Sequence, residues 1–242
     1  DGGVHSMQQH LHAIVELADR QDVPAVTHAS TDGRDTAPTS GADFLREFGA
    51  VTEQYGTGDV ATVTGRYYAM DRDENWERTK RAYDAIVRRE ADHEAPSAVA
   101  AVEESYDRDT TDEHVEPTLV EGGPALAEGD AVVCFNFRAD RARQLVRMLA
   151  DVRPEWDVDT DPPDVRVVTM TEYDATFDLP VAYPPSRPVG VLGEAVSDAG
   201  CTQLRAAESE KYAHVTYFLN GGREVAFEGE EREIVESPDV AT

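Results

Sequence analysis

Short apolar runs alternate along this chain with longer stretches of helical periodicity, and that alternation points to an α/β architecture. Leu11, Ile14, Val15 and Ala18 recur at helical spacing between about Met7 and Asp19. Asp22-Val23-Pro24 ends that helix, and Ala25-Val26-Thr27-His28-Ala29 reads as a short buried strand. The same reasoning predicts helices over Gly41–Tyr55 and Trp76–Val87, a helix near Ala98–Tyr106, and a strand over Val60–Thr64. Strands are then expected at Ala131–Phe135 and Val165–Met170, with a helix between them running to about Leu149. Beyond these come a helix over Val191–Ala199, a strand over Val215–Leu219 and a hairpin at Asn220-Gly221-Gly222.

The 242 residues suffice for one large domain or two modest ones. The segment 180–188 holds four of the 13 prolines and is the best linker candidate. No apolar run approaches the roughly 18 residues a spanning helix needs. The chain opens Asp1-Gly2-Gly3-Val4-His5 without an initiator Met or a signal peptide, and is expected to be an internal piece of a longer polypeptide.

Charge narrows the function. Asp and Glu number 49 against 22 Lys and Arg, a net charge of -27. Such a surface repels nucleic acid and anionic membranes, which are bound chiefly through Lys and Arg. The carboxylates are interleaved with Val, Ile, Leu and Tyr, which argues against an acidic disordered tail. Only Lys80 and Lys211 are lysines. Abundant carboxylates with almost no lysine suit a protein adapted to molar salt, where screening over roughly 3 Å removes their repulsion. The two cysteines, Cys134 in an apolar run and Cys201, form no metal or disulfide motif, consistent with a reducing cytoplasm.

The chemistry concentrates in three loops, each following an expected strand and each pairing Arg with carboxylates. They are Asp32-Gly33-Arg34-Asp35, Gly65-Arg66 through Arg72-Asp73, and Arg138-Ala139-Asp140-Arg141. Loops after strand C-termini line one edge of an α/β sheet, where ligands bind. Guanidinium groups gathered there suit phosphate or carboxylate, although each Arg also has an acidic neighbour it could simply pair with. Asp1-Gly2-Gly3-Val4-His5-Ser6 reads either as an anion-binding nest or as a tight turn with Ser6 capping the next helix. His5, His10 and His12 lack the spacing of a metal pair on one helix face, so no metal ligand is assigned. Lys211 is retained in a lysine-poor chain, which suggests a role for a compact ammonium, whereas Lys80 reads as a helix-surface residue.

Taken in order, Asp1–Ser6, Thr31–Thr36, Gly65–Asp73, Phe135–Arg141 and Glu210–Thr216 resemble the cofactor-independent phosphoglycerate mutases over the whole chain. The resemblance implies a two-domain α/β enzyme of the alkaline-phosphatase superfamily. Its 1–184 segment would be the inserted substrate-binding domain without its N-terminal part. Its 185–242 segment would begin an alkaline-phosphatase-like α/β domain. By the same resemblance His5, Arg34, Asp35, Arg66, Arg72, Arg138, Arg141 and Lys211 bind substrate, and Asp35 and Lys211 act in catalysis. The implied reaction interconverts 3-phosphoglycerate and 2-phosphoglycerate through a phosphoserine, without 2,3-bisphosphoglycerate. Two Mn²⁺ ions serve it, and their ligands and the serine lie outside this segment. The implied protein is a cytoplasmic monomer that contacts neither nucleic acid nor membrane. One position departs from the family: Met7 stands where a second His is common. Two other classes stay open on the residues alone, a non-catalytic Arg-lined receptor for phosphorylated acids and an acidic structural domain.

Overall fold

The computed structural model describes residues 3–152 and 155–237. The chain divides into two compact units, Asp1–Pro184 and Pro185–Thr242.

In the first unit, helix α1 spans Gln8–Arg20 and leads to strand β1, Val26–Thr31. Helix α2, Gly41–Tyr55, buries Ala42, Leu45, Phe48 and Thr52, a stripe at helical spacing, and stops at Gly56 in the left-handed conformation. Strand β2, Asp59–Gly65, is buried from Ala61 onward because it lies between β1 and a later strand. A single helical turn, α3 (Arg66–Ala69), starts where β2 ends. Helix α4 (Trp76–Val87), strand β3 (His93–Ala95), helix α5 (Ala98–Asp107) and strand β4 (Thr118–Val120) complete this half. The sheet runs β1-β2-β4-β3, with β1 parallel to β2 and β4 antiparallel to β2. Its core joins Ala42 and Leu45 of α2 to Val63, Ala101, Val102, Val115 and Val120.

Strand β5 (Ala131–Cys134), helix α6 (Arg143–Leu149) and strand β6 (Arg166–Thr169) form the rest of this unit, with β5 and β6 parallel in a sheet of their own. Tyr83, Ile86 and Val87 of α4 pack on Met148 and Leu149 of α6, and this apolar seam brings the loop after β5 toward the loops after β1 and β2. The three Arg-bearing loops therefore meet, but from two sheets rather than along one edge.

Register sets the first part of that meeting. Thr31 pairs with Gly65, so β1 and β2 end together. Gly65 is required there: a Cβ on it would lie 2.5 Å from the Glu113 carbonyl oxygen and 2.6 Å from the Val115 nitrogen. Gly65→Ala is expected to destabilise the fold by about 3 kcal/mol through this backbone clash, read as a lowered urea midpoint.

The second unit holds helix α7 (Leu192–Asp198) and strands β7 (Gln203–Glu208) and β8 (Glu230–Val235), which pair in parallel. Here the sequence misleads. Val215–Leu219 is not a strand: His214–Phe218 forms a wide π-type helical turn, and Asn220 donates its backbone N–H to Thr216 rather than opening a hairpin. A short apolar run fits either period, and the 3₁₀ turn Ser209–Lys211 just upstream already commits the backbone to a helical path. Strand β7 escapes a sequence reading because Gln-Leu-Arg-Ala-Ala-Glu is made of helix formers. Ser6 is not the cap of α1 either: Met7 holds that position, with no side-chain capping bond. Asp1 and Gly2 of the suggested nest lie outside the described residues.

Candidate active site

Arg66 is the centre of the cluster. It is 3% exposed, and its Nη1 donates to Asp32 Oδ1 and Asp35 Oδ2, each at 2.6 Å. No protein acceptor faces its Nη2 or Nε among the described residues. Asp32 Oδ1 also accepts the backbone N–H groups of Arg34 (3.1 Å) and Asp35 (3.0 Å), which folds the Asp32–Asp35 turn onto one oxygen. Gly33 takes φ 66° in that turn and approaches the Glu113 nitrogen so closely that a Cβ would lie 2.6 Å away. Arg34 reaches out to Glu113 Oε1 at 3.0 Å.

His5, 5% exposed, brings its Nε2 to 3.2 Å from Asp35 Oδ2, and neither ring nitrogen makes an aligned hydrogen bond. Its carbonyl accepts the N–H groups of Phe137 (2.8 Å) and Arg138 (3.3 Å), tying the third loop to the segment before α1. Asp140 Oδ2 accepts from Arg72 Nη1 (2.8 Å) and Arg138 Nη2 (3.0 Å), so one carboxylate bridges arginines of two loops. Arg141 donates to the Met70 carbonyl at 3.1 Å and has no ion pair among the described residues.

The protonation states follow from these contacts. Burial, then the positive charges of Arg66 and Arg138, lowers the pKa of His5, so the ring is held neutral. Hydrogen bonding from Arg66 holds the Asp35 carboxyl below the usual range. Burial works against ionisation of Asp32, yet the Asp35 N–H and Arg66 outweigh it and hold this carboxyl low as well. Burial and the nearby Arg66 and Arg72 charges lower the pKa of Arg141. A guanidinium pressed by two others without a carboxylate partner is a surface prepared for an anion.

Among the sequence-predicted residues, the structure thus brings together His5, Asp35, Arg66, Arg72, Arg138 and Arg141, while the Arg34 side chain turns out to Glu113. Lys211 belongs to the second unit, where it closes the 3₁₀ turn after β7, exposed and without an ion pair among the described residues. Residues 1–175 match the family described as BPG-independent PGAM N-terminus, where PGAM denotes phosphoglycerate mutase. The chain belongs to this family. It is 72% identical over its whole length to the 2,3-bisphosphoglycerate-independent phosphoglycerate mutase of Natronomonas pharaonis, covering 48% of that protein. It is 50% identical to the enzyme of that name from Moorella thermoacetica, again covering 48% of it. A crystal structure of Leishmania mexicana phosphoglycerate mutase at low cobalt concentration superposes with a TM-score of 0.71 at 30% identity, over 99% of this chain and 47% of that one. The chain spans about half the length of the curated relatives it matches.

Several supporting residues carry no sequence signal as site residues. Asp71 is buried and accepts from Asn75, Gln144 Nε2 (2.9 Å) and Arg78 Nη1 (3.0 Å), fixing the loop that presents Arg72. Asp32 and Asp140 stand inside the motifs, but their bridging roles appear only once the loops are folded together. The cysteines are free: burial pushes the Cys134 thiol up to about 12, and Cys201 is exposed. His10 packs on Phe137 and His12 on Phe48. No helix among the described residues is long and apolar enough to cross a membrane.

Proposed function

We propose that this chain is the glycerate-holding part of a 2,3-bisphosphoglycerate-independent phosphoglycerate mutase, an isomerase of glycolysis and gluconeogenesis that interconverts 3-phosphoglycerate and 2-phosphoglycerate. The convergence of Arg66, Arg72, Arg138 and Arg141 around Asp35 and neutral His5 supports this reading most directly. A phosphoglycerate carries a carboxylate and a phosphate, and guanidinium groups from three loops can hold both while the molecule reorients. The phosphoryl group passes to a serine supplied by the remainder of the polypeptide and returns to the other hydroxyl of the same glycerate. Asp35, ionised at neutral pH, takes up and returns the hydroxyl proton. Lys211, from the 185–242 segment that begins the phosphatase-like domain, offsets charge on the phosphoryl oxygens.

The two manganese ions that the resemblance implies are read as held by the remainder of the polypeptide. No group of three or more His, Cys, Asp or Glu among the described residues is gathered to hold a metal, and no step here runs through one. The protein is read as a cytoplasmic monomer, and its acidic, lysine-poor surface as an adaptation to molar salt.

The test is an assay of the full-length polypeptide in molar KCl with Mn²⁺ and no 2,3-bisphosphoglycerate. Conversion of 3- to 2-phosphoglycerate is expected, with KM raised about 10-fold or more by Arg138→Ala. The 242-residue chain alone is expected to bind weakly without turnover. A full-length polypeptide that binds phosphoglycerate but never isomerises it would make this a receptor instead.

A further inference from the structure

Asp32 lies beside Asp35 in the same turn, and both turn an oxygen to the buried Arg66. One nitrogen, Arg66 Nη1, sits 2.6 Å from a carboxylate oxygen of each. A guanidinium buried as deeply as this one needs a full countercharge, because desolvation penalises an unpaired ion heavily. If Asp35 were the sole carboxylate on Arg66, protonating Asp35 would strip the arginine of its partner. With Asp32 present, the arginine stays neutralised through that event.

We infer that Asp32 is a positioning residue that shares the neutralisation of Arg66 and thereby leaves the Asp35 carboxylate free to exchange a hydroxyl proton. The inference rests on the mutase reading and on the role of Asp35 in it. Two observations bear on it independently of that chemistry. Asp32 Oδ1 accepts the Asp35 backbone N–H, so the residue that anchors Arg66 also fixes where Asp35 stands. Arg34, the other side chain of the turn, is drawn away to Glu113 and does not compete for Asp32.

The charged and titratable groups facing Asp35 are few. From its own turn come Asp32 and Arg34, from the segment before α1 neutral His5, and from α3 Arg66, while from the segment after α5 Glu113 pairs with Arg34 and buried Asp112 bears on Asp32. Arg138 and Asp140 bear on His5, and Arg141 is close enough to Arg66 for the two charges to repel. Removing the Asp32 charge therefore deletes the nearest negative neighbour of Asp35 and gives Arg66 wholly to it. Asp35 becomes a stronger acid and a poorer base.

Asp32→Asn is the informative variant, since its amide oxygen still accepts the backbone N–H groups of the turn while the charge is gone. In the full-length polypeptide its kcat is expected to fall about 10-fold with KM changed less than about 3-fold. The acid limb of the kcat–pH profile is expected to move to lower pH, because that limb reports ionisation of Asp35. A residue that served only the fold would lower the Tm and leave the limb in place, and an unmoved limb with unchanged kcat overturns the inference. Asp35→Asn run alongside separates the two levels: if it keeps full turnover, the mutase role of Asp35 itself is wrong. Should Asp32→Asn fail to fold, carboxyl-carbon NMR titration of Asp35 in the unaltered protein decides. Two steps, one at the Asp32 midpoint, are expected, and a single step overturns the coupling.

Discussion

Arg66→Lys is expected to keep the fold and lose the reaction, whereas Arg66→Ala loses both. Both carboxylates that hold Arg66 meet the same nitrogen, Nη1, so a lysine ammonium has the donors to bridge Asp32 and Asp35. What lysine lacks is the second edge of the guanidinium, the Nη2 and Nε groups that face no protein acceptor among the described residues. If that edge holds substrate oxygen, kcat/KM of the full-length polypeptide falls about 100-fold or more in Arg66→Lys, while stability stays within about 1 kcal/mol of the parent. Arg66→Ala removes the cation from two carboxylates at once. Both keep some contact with water, so the stability loss is placed at about 2 kcal/mol, below the cost of breaking a fully buried pair, with kcat/KM down about 1000-fold or more. The pH dependence has a definite sign. Arg66 holds Asp32 and Asp35 below the usual carboxylate range, so its contribution is complete above that range and is lost as pH falls through their folded values. The stability gap between parent and Arg66→Ala should therefore narrow on acidification. A gap that widens toward low pH, or a lysine variant with full activity, would show that the two edges of Arg66 do not divide the work in this way.

The sequence shows which loops matter because their chemistry is local. Arg66 and Asp35 stand in motifs with strand signals just before them, and the long amphipathic helices α2 and α4 begin and end at the expected residues. What the chain does not reveal is the assembly. That the loops after β1, β2 and β5 meet although these strands belong to two sheets depends on the seam between Tyr83 and Met148, a contact across 65 positions that no local pattern encodes. Asp140 illustrates the same limit: beside Arg138 and Arg141 it looks like a surface partner, and only the fold shows it also holding Arg72. In the second unit local and global preferences disagree outright. Gln203–Glu208 is a strand despite its helix-forming residues because β8 offers it a parallel partner, and Val215–Leu219 coils despite its β-branched and aromatic content.

Asp112 exposes a different layer, the support beneath the site, and it predicts a large effect on stability. It is 1% exposed, and its Oδ2 accepts the backbone N–H groups of Ser40 (2.9 Å) and Gly41 (2.8 Å), capping α2 from a residue 71 positions away. Its Oδ1 accepts the Tyr106 hydroxyl, and its own carbonyl accepts Thr31 Oγ1 at the end of β1. Asp112→Ala leaves three buried or half-buried donors without acceptors and is expected to cost about 3 kcal/mol, since relief from burying a charge offsets part of the loss. Asp112→Asn behaves otherwise. Its amide oxygen can accept the two helix N–H groups, and its NH₂ can donate to a Tyr106 hydroxyl that now accepts. Burial dominates the proton affinity of Asp112 and raises its pKa despite those bonds. A carboxyl whose folded pKa is raised contributes most below the ordinary carboxylate range, and that contribution is lost as pH rises through the interval to the folded value, the opposite of Asp32 and Asp35. Asparagine has no proton to lose, so Asp112→Asn should gain on the parent as pH rises above the ordinary carboxylate range and lie within about 1 kcal/mol of it at neutrality. Urea unfolding of the three proteins in molar KCl at several pH values measures both effects. An alanine variant as stable as the parent would remove Asp112 as the cap of α2. An asparagine variant that loses ground as pH rises would mean that Asp112 is held as an anion, and that the start of α2, not burial, governs its charge.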